Sequence, residues 1–231
     1  VSAANQCGAS TQSATFSFTT QSAPGDCGPG TDAVVYFEDD MENGPNGWTH
    51  NAAEGTDTWE LDDEDANSPT KSWRGLDIDS VSDQRLVPPE IALPADVDTP
   101  TLQFFNKRDM EDGGAGCFDA GILEYSTDGG STWTQVLDDR LETDPYTGTI
   151  DDGFGNPLAG QPGWCGVQDW TRSVVDLRGL EGQNLTFRYR IGTDSSVAAD
   201  DWHIDDVKVQ SCEVVLDEVF FIDSFEDPPA P

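Results

Sequence analysis

Helical periodicity is missing from these 231 residues: no stretch repeats apolar side chains at i, i+3, i+4 and i+7. That absence argues against helix bundles and against parallel sheets built with crossover helices. No apolar run approaches the roughly 20 residues that carry a helix across a bilayer, so no membrane insertion of that kind is expected. Basic charge is scarce: 45 acidic residues face 11 basic ones, of which three are lysine, giving a net charge of −34. Nucleic acids and anionic membrane surfaces attract positive potential, so neither is expected as a partner. A surface this acidic repels itself. It suits surroundings in which salt screens charge within roughly 3–8 Å, or in which divalent cations neutralise part of it.

The familiar catalytic motifs are missing as well. There is no HExxH, no GxSxG, no phosphate-binding loop and no dinucleotide fingerprint. His50 and His203 are the two imidazoles, and neither has a nucleophile at a recognisable spacing. A glycosidase needs only two carboxylates, but nothing singles out a pair among so many. No enzyme activity is expected. Val1 opens the chain without a basic n-region or an apolar h-region, so a signal peptide is expected to lie upstream.

CxxC spacing is absent too, which with two histidines argues against a structural zinc site. Five cysteines remain: Cys7, Cys27, Cys117, Cys165 and Cys212. Disulfides in an oxidising compartment account for them better, and the protein is expected to be secreted. Cys27 and Cys212 bracket the central region and can tie its ends together. Cys117 and Cys165 flank a long irregular segment and can pin it. Cys7 is left over.

Short runs of period-two alternation, separated by Gly, Pro, Asn and Asp, are what the sequence does contain. The clearest places Leu185, Phe187, Tyr189 and Ile191 on one face and Thr186, Arg188 and Arg190 on the other. Leu123 and Tyr125 alternate with Ile122 and Glu124, and Ile204, Val207 and Val209 close the series. Further strands are expected near 33–38, 57–61, 71–76, 84–87, 100–106, 131–138 and 170–176. Roughly ten antiparallel strands with long loops predict an all-β fold, a two-sheet antiparallel jelly-roll sandwich. The expected organisation is a terminal strand of a preceding β module over 1–21, a linker over 22–30, the sandwich over 31–212 and a C-terminal extension over 213–231. Two segments, 106–117 and 138–164, are too long for plain turns and suggest function or a held ligand.

Candidate sites follow from residue type and position. Calcium takes six to eight oxygens, several of them carboxylate, and FEDD at 37–40 faces WHIDD at 202–206 if the first and last strands pair. Glu38 and Asp205 lead that candidate set, with Asp40, Asp57 and Asp206 as further ligands. With 45 carboxylates, solvated strand ends are the plain alternative. Ser126 to Trp133 (STDGGSTW) matches an Asp-box, read as a structural hairpin turn in which Asp128 bonds backbone amides. Seven tryptophans are present. Trp59, Trp133 and Trp202 read as packing. Trp48, Trp73, Trp164 and Trp170 lie near loops, where aromatic platforms contact sugars. Trp164, beside Cys165, is the leading ligand contact, with Tyr146 in the same loop.

Taken together, YFEDD, TDTWEL, SDQRLVPPEIALP, LQFFNKRDME, GILEYSTDGGSTWTQV, NPLAGQPGWCG, LTFRYRIGTD and DWHIDDVKV resemble the MAM-like, concanavalin A-like jelly-roll domains. Such domains lie downstream of the catalytic domain in secreted bacterial metallopeptidases of the immune inhibitor A type. The likeness covers roughly 33–210. Residues 4–20 are similar to the closing strands of fibronectin- or immunoglobulin-like modules, and FIDSFE at 221–226 to short C-terminal motifs of gammaproteobacterial secreted proteins. The resemblance implies a non-catalytic accessory domain with a structural calcium between first and last strands, carried over onto Glu38, Asp57 and Asp205. The 138–164 insertion and the Cys117/Cys165 pair depart from that pattern. The partner implied is the catalytic domain of a parent protein. A stand-alone module binding polysaccharide or a surface protein is the alternative, and a cryptic glycosidase a third.

Overall fold

A computed structural model describes residues 22–114 and 116–214. The strand expected over 14–20, Cys7 and most of the C-terminal extension lie outside the described residues. Fourteen β-strands and no helix make up the described part, all paired antiparallel, in two six-stranded sheets and one small hairpin.

The first sheet runs β12 (Gly166–Asp176), β7 (Thr101–Met110), β14 (Asp201–Val214), β4 (Ser72–Leu76) and β3 (Glu60–Asp62), with β1 (Thr31–Asp39) also paired to β14. The second runs β2 (Thr49–Glu54), β5 (Ser82–Val87), β13 (Asn184–Thr193), β8 (Ala120–Ser126) and β9 (Thr134–Gln135), with β6 (Ile91–Ala92) also paired to β13. This is the expected two-sheet jelly-roll sandwich. First and last strands do pair, Thr31 opposite Val214 through Asp39 opposite Val207.

Alternation decides which side chains meet between the sheets. Leu185, Phe187, Tyr189 and Ile191 are fully buried, as their spacing predicts. In β14 the inward residues are Ile204, Val207 and Val209, a spacing of three and then two. A bulge supplies the extra residue: the register with β7 shifts between Asp205 and Lys208, and Asp206 has a φ of 48°. Trp59, Trp164 and Tyr189 each place a ring centroid within 6.0 Å of Trp202, so large aromatic rings fill the interior. Trp48, Trp73 and Trp164 are part of that core, not loop platforms. Indoles near loop sequences end up inside because the loops themselves fold over the sandwich edge.

The 138–164 segment shows how. It is not structureless: β10 (Gly148–Thr149) and β11 (Pro162–Gly163) form a hairpin inside it. Asp144 accepts from both Arg108 amino groups at 2.9 and 3.1 Å, and from Asn106 and Ser173. Trp164 donates its indole N–H to the Asp144 carbonyl at 2.8 Å. Residues 22–30, expected as a free linker, also lie against the domain. The Gly25 carbonyl accepts from Gln103 and Gln210, and Arg172 reaches Asp26 and the Pro24 carbonyl.

Both expected disulfides are present, Cys27–Cys212 and Cys117–Cys165.

Candidate functional site

Four carboxylates meet at one end of the sandwich. Asp77 follows β4, Glu111 follows β7, Asp119 precedes β8 and Asp194 follows β13. Two of these strands belong to each sheet, so the group sits where the sheets' loops converge. One carboxylate oxygen from each of Glu111, Asp119 and Asp194 lies within 4.8 Å of the others. Asp77, Asp119 and Asp194 are all at most 4 % exposed. Backbone groups hold them in place. Asp77 Oδ2 accepts from the Glu111 and Ala199 amides, and Asp119 Oδ1 from the Asp194 amide. The opposite oxygens, Asp77 Oδ1 and Asp119 Oδ2, are buried without a hydrogen-bond partner, as is Glu111 Oε2.

Burial is the main cause that raises the pKa of Asp77, Glu111 and Asp119. Neighbouring carboxylates reinforce it through Asp194 and Asp77 at Glu111, and through Asp77 and Asp194 at Asp119. None of the four is in an ion pair with Lys, Arg or His among the described residues. By contrast, buried Glu124 has Arg188 beside it and buried Asp83 has Arg190.

The residues nominated from sequence are distributed differently. Glu38, Asp40 and Asp206 line one small hollow, but Arg172 and Lys208 line it too. Asp206 also accepts from Asn67 Nδ2 and Ser68 Oγ. Asp205 is fully buried and accepts the amides of Asn67 and Ser68 at 2.8 and 3.0 Å. Its pKa is pushed up to about 6, first by burial and then by Asp206, against the lowering bonds from those amides. Asp57 is elsewhere, bonded to His50 at 2.8 Å. Of the five, Glu38, Asp40 and Asp206 thus share one hollow and Asp57 lies apart from it. Between Glu38 and Asp40, Asp39 is the residue that turns inward, accepting the Trp48 indole N–H at 2.9 Å and the Met41 amide.

Trp164 and Tyr146 are also corrected as ligand contacts. Trp164 is fully buried, and Tyr146 packs against it with centroids 4.5 Å apart and accepts the Leu123 amide. Trp164 is interior and Tyr146 is half-buried against it, and together they anchor the insertion. The Asp-box is a turn as expected: Asp128 accepts from Thr132 N, Thr132 Oγ1 and Ser126 Oγ.

A shallow hollow of about 530 Å³ lies on the outer face of the first sheet, lined by Asp65, Arg74, Lys107, Asp201 and His203 among others. Lys107 bonds Asp65, Arg74 bonds Asp201 at 2.7 Å, and the half-buried Trp170 donates to Asp65 at 3.0 Å. Ser72, His203 and Asp201 lie in a hydrogen-bonded row there, at 2.7 and 3.2 Å. The row does not act as a nucleophilic triad. Ser72 is fully buried, and its hydroxyl is already within 2.7 Å of the Asp65 carbonyl, leaving no approach for an acyl group.

The sequence signal for the four-carboxylate group was thin. Each acid stands immediately outside a strand, but the four are scattered from 77 to 194, and only the topology joins them.

No protein-family model matches this chain. It is similar to Bacillopeptidase F of Bacillus subtilis (strain 168), 24% identical over 177 residues, which is 74% of this chain and 10% of that protein. The chain thus spans about a tenth of the relative's length. Among solved structures, the K3 cleaved adhesin domain of Lys-gingipain from Porphyromonas gingivalis W83 is similar at a TM-score of 0.50 and 18% identity. That likeness covers 78% of this chain and 99% of that one. TmCBM61, solved in complex with beta-1,4-galactotriose, gives a TM-score of 0.47 at 14% identity, over 76% of this chain and 97% of that one.

Proposed function

We propose that this chain is a non-catalytic accessory or recognition domain of a larger extracellular protein, and that its parent is a peptidase. The observation that carries the recognition role is the hollow on the outer face of the first sheet. There, Lys107, Arg74 and His203 stand among Asp65 and Asp201, beside the indole of Trp170. Paired acids and bases on a rigid sheet offer donors and acceptors together. Sugar hydroxyls and the polar groups of a protein surface both need that combination. The two disulfides support an extracellular location. The likeness to Bacillopeptidase F supports the parent. The occupant is a polysaccharide or the surface of a protein, including the parent's own catalytic domain.

The test is binding of the wild-type chain, Lys107→Ala and Trp170→Ala to a panel of polysaccharides and to the parent's catalytic domain. Retention on one of these, weakened at least ~10-fold in both variants, a loss of about 1.4 kcal/mol, is the expected result. Retention undiminished in the variants would move the site elsewhere. No retention on any member would remove the recognition role.

A further inference from the structure

We infer that Asp77, Glu111, Asp119 and Asp194 form a divalent-cation site, selective for calcium, that clasps the two sheets together at one end of the sandwich. This site stands independently of what the outer hollow binds.

The first support is the ligand chemistry. Four carboxylates and no nitrogen or sulfur donor make an oxygen-only group, which suits a hard cation. Calcium–oxygen distances are about 2.3–2.6 Å, so two ligands on opposite sides of the ion stand about 4.6–5.2 Å apart. One oxygen each of Glu111, Asp119 and Asp194 lies within 4.8 Å of the others, close enough for all three to reach one such ion. Magnesium, at about 2.0–2.1 Å, would draw opposite ligands to about 4.2 Å and keeps several waters. Side chains this buried favour the larger ion.

The second support is independent of the acids' number. Asp77 and Asp119 are 4 % and 0 % exposed, and each has one oxygen bonded to backbone amides and the other buried without a partner. Buried polar atoms are rarely left unpaired, and each such atom costs free energy. An ion bound by these oxygens removes that cost at Asp77, Asp119 and Glu111 at once. The bonded oxygens meanwhile fix the orientation of the Asp77 and Asp119 carboxylates.

The third is placement. Asp77 and Glu111 belong to strand ends of the first sheet, Asp119 and Asp194 to strand ends of the second. The loops that follow are tied to one another through the same acids, since Ala199 and Glu111 both donate to Asp77. The Cys117–Cys165 bond ties the loop between Glu111 and Asp119 to the segment that precedes β12. A cation here joins strand ends of the first sheet to strand ends of the second, which the ladders within each sheet do not link.

The experiment uses the full chain stripped with EDTA. Calcium and magnesium are titrated separately by calorimetry, and thermal midpoints are read with each metal and with chelator. The variants are Asp119→Asn, Glu111→Gln and, for the hollow nominated from sequence, Glu38→Gln. One calcium per chain at this site is expected, with a midpoint that rises with calcium and much less with magnesium. Asp119→Asn and Glu111→Gln should each weaken calcium by roughly 100-fold, since carboxylate count sets calcium affinity over decades. In chelator Asp119→Asn should melt at or above the wild-type midpoint, because an uncharged amide replaces a crowded buried acid. A variant damaged only in folding would melt lower in both buffers. Midpoints identical in calcium and chelator, or calcium loss in Glu38→Gln with none in Asp119→Asn or Glu111→Gln, would overturn the site. Neither result would touch the Lys107 and Trp170 binding test, so the two readings fail separately.

Discussion

Single residues in this protein are constrained most where two sheets press backbone against indole. Gly121 in β8 faces the interior, and a Cβ built on it would stand 2.7–3.0 Å from three carbons of the Trp202 ring. Trp202 is fully buried between Trp59, Trp164 and Tyr189 and has nowhere to retreat. Gly121→Ala is therefore an overpacking change, expected to cost about 1–3 kcal/mol. At roughly 2–4 °C per kcal/mol for a domain of this size, the thermal midpoint should fall by several degrees. An unchanged midpoint would mean the sheets can part locally at no cost. Asp39 shows the same principle for a polar group. Of the acids in FEDD it is the one placed inside, and its two oxygens are used by Trp48, Asn46 and Met41. The motif was visible in the sequence. Which of its acids turns inward was not, because a register shift in β1 between Val35 and Phe37 sets the facing.

At the scale of elements, the strands with clean alternation were legible and the insertion was not. Strand β13 follows its pattern along its length, since both of its neighbours, β5 and β8, pair with it in regular register. Strand β2 was not expected, because THNAAE lacks the β-branched and aromatic alternation that marks a strand. It forms because the β5 edge offers its backbone groups. The 138–164 segment spaces its apolar residues without a strand's alternation, yet it buries Leu141, Ile150 and Leu158 and is held by Asp144, Trp164 and the Cys117–Cys165 bond. A native disulfide closing a loop of this kind contributes about 2–4 kcal/mol. Replacing Cys117 and Cys165 together by serine should lower the unfolding free energy by that amount in a urea titration. It should also weaken calcium, because the loop bearing Glu111 and Asp119 loses its covalent tie. Stability lost with calcium affinity intact would show that backbone bonds alone position the two acids.

For the whole molecule, charge sets the dependence on pH. Burial raises Asp83 and Asp201, but the bonds from Arg190 and Arg85 in one case, and from His203 and Arg74 in the other, outweigh it and hold both below the ordinary carboxylate range. Such groups contribute stability in full above the unfolded pKa of about 3.9 and lose it as pH falls through their lower folded values. Asp205 has the opposite sign. Its folded pKa of about 6 means the native state holds its proton more firmly, so its contribution declines as pH rises from about 4 to about 6. The net charge of −34 adds self-repulsion on the neutral side. In chelator and low salt, the thermal midpoint should rise as pH is lowered from 7 to about 5 and fall again below about 4. Salt at about 1 M, with a screening length near 3 Å, should flatten the neutral limb more than the acid limb. A midpoint that is flat from pH 7 to 5 in low salt would show that the acidic surface costs nothing.

The sequence by itself determined the class of fold and put forward both cysteine pairs, while the pairing of first and last strands entered only as a condition. Alternation is a local property, and cysteines at the two ends of a sandwich have few places to go. The chain's charge also made nucleic acids and anionic membrane surfaces unexpected as partners. Tertiary structure alone decided which acids converge. Asp77, Glu111, Asp119 and Asp194 are up to 117 residues apart, the difference between 194 and 77, and share no motif. They meet because each stands just outside a strand at the same end of the sandwich, and strand order is a property of the whole chain. The same holds for the tryptophans. Their neighbours along the chain are loop residues, but a large apolar ring is buried wherever the fold gives it a cavity, and here that cavity lies between the sheets.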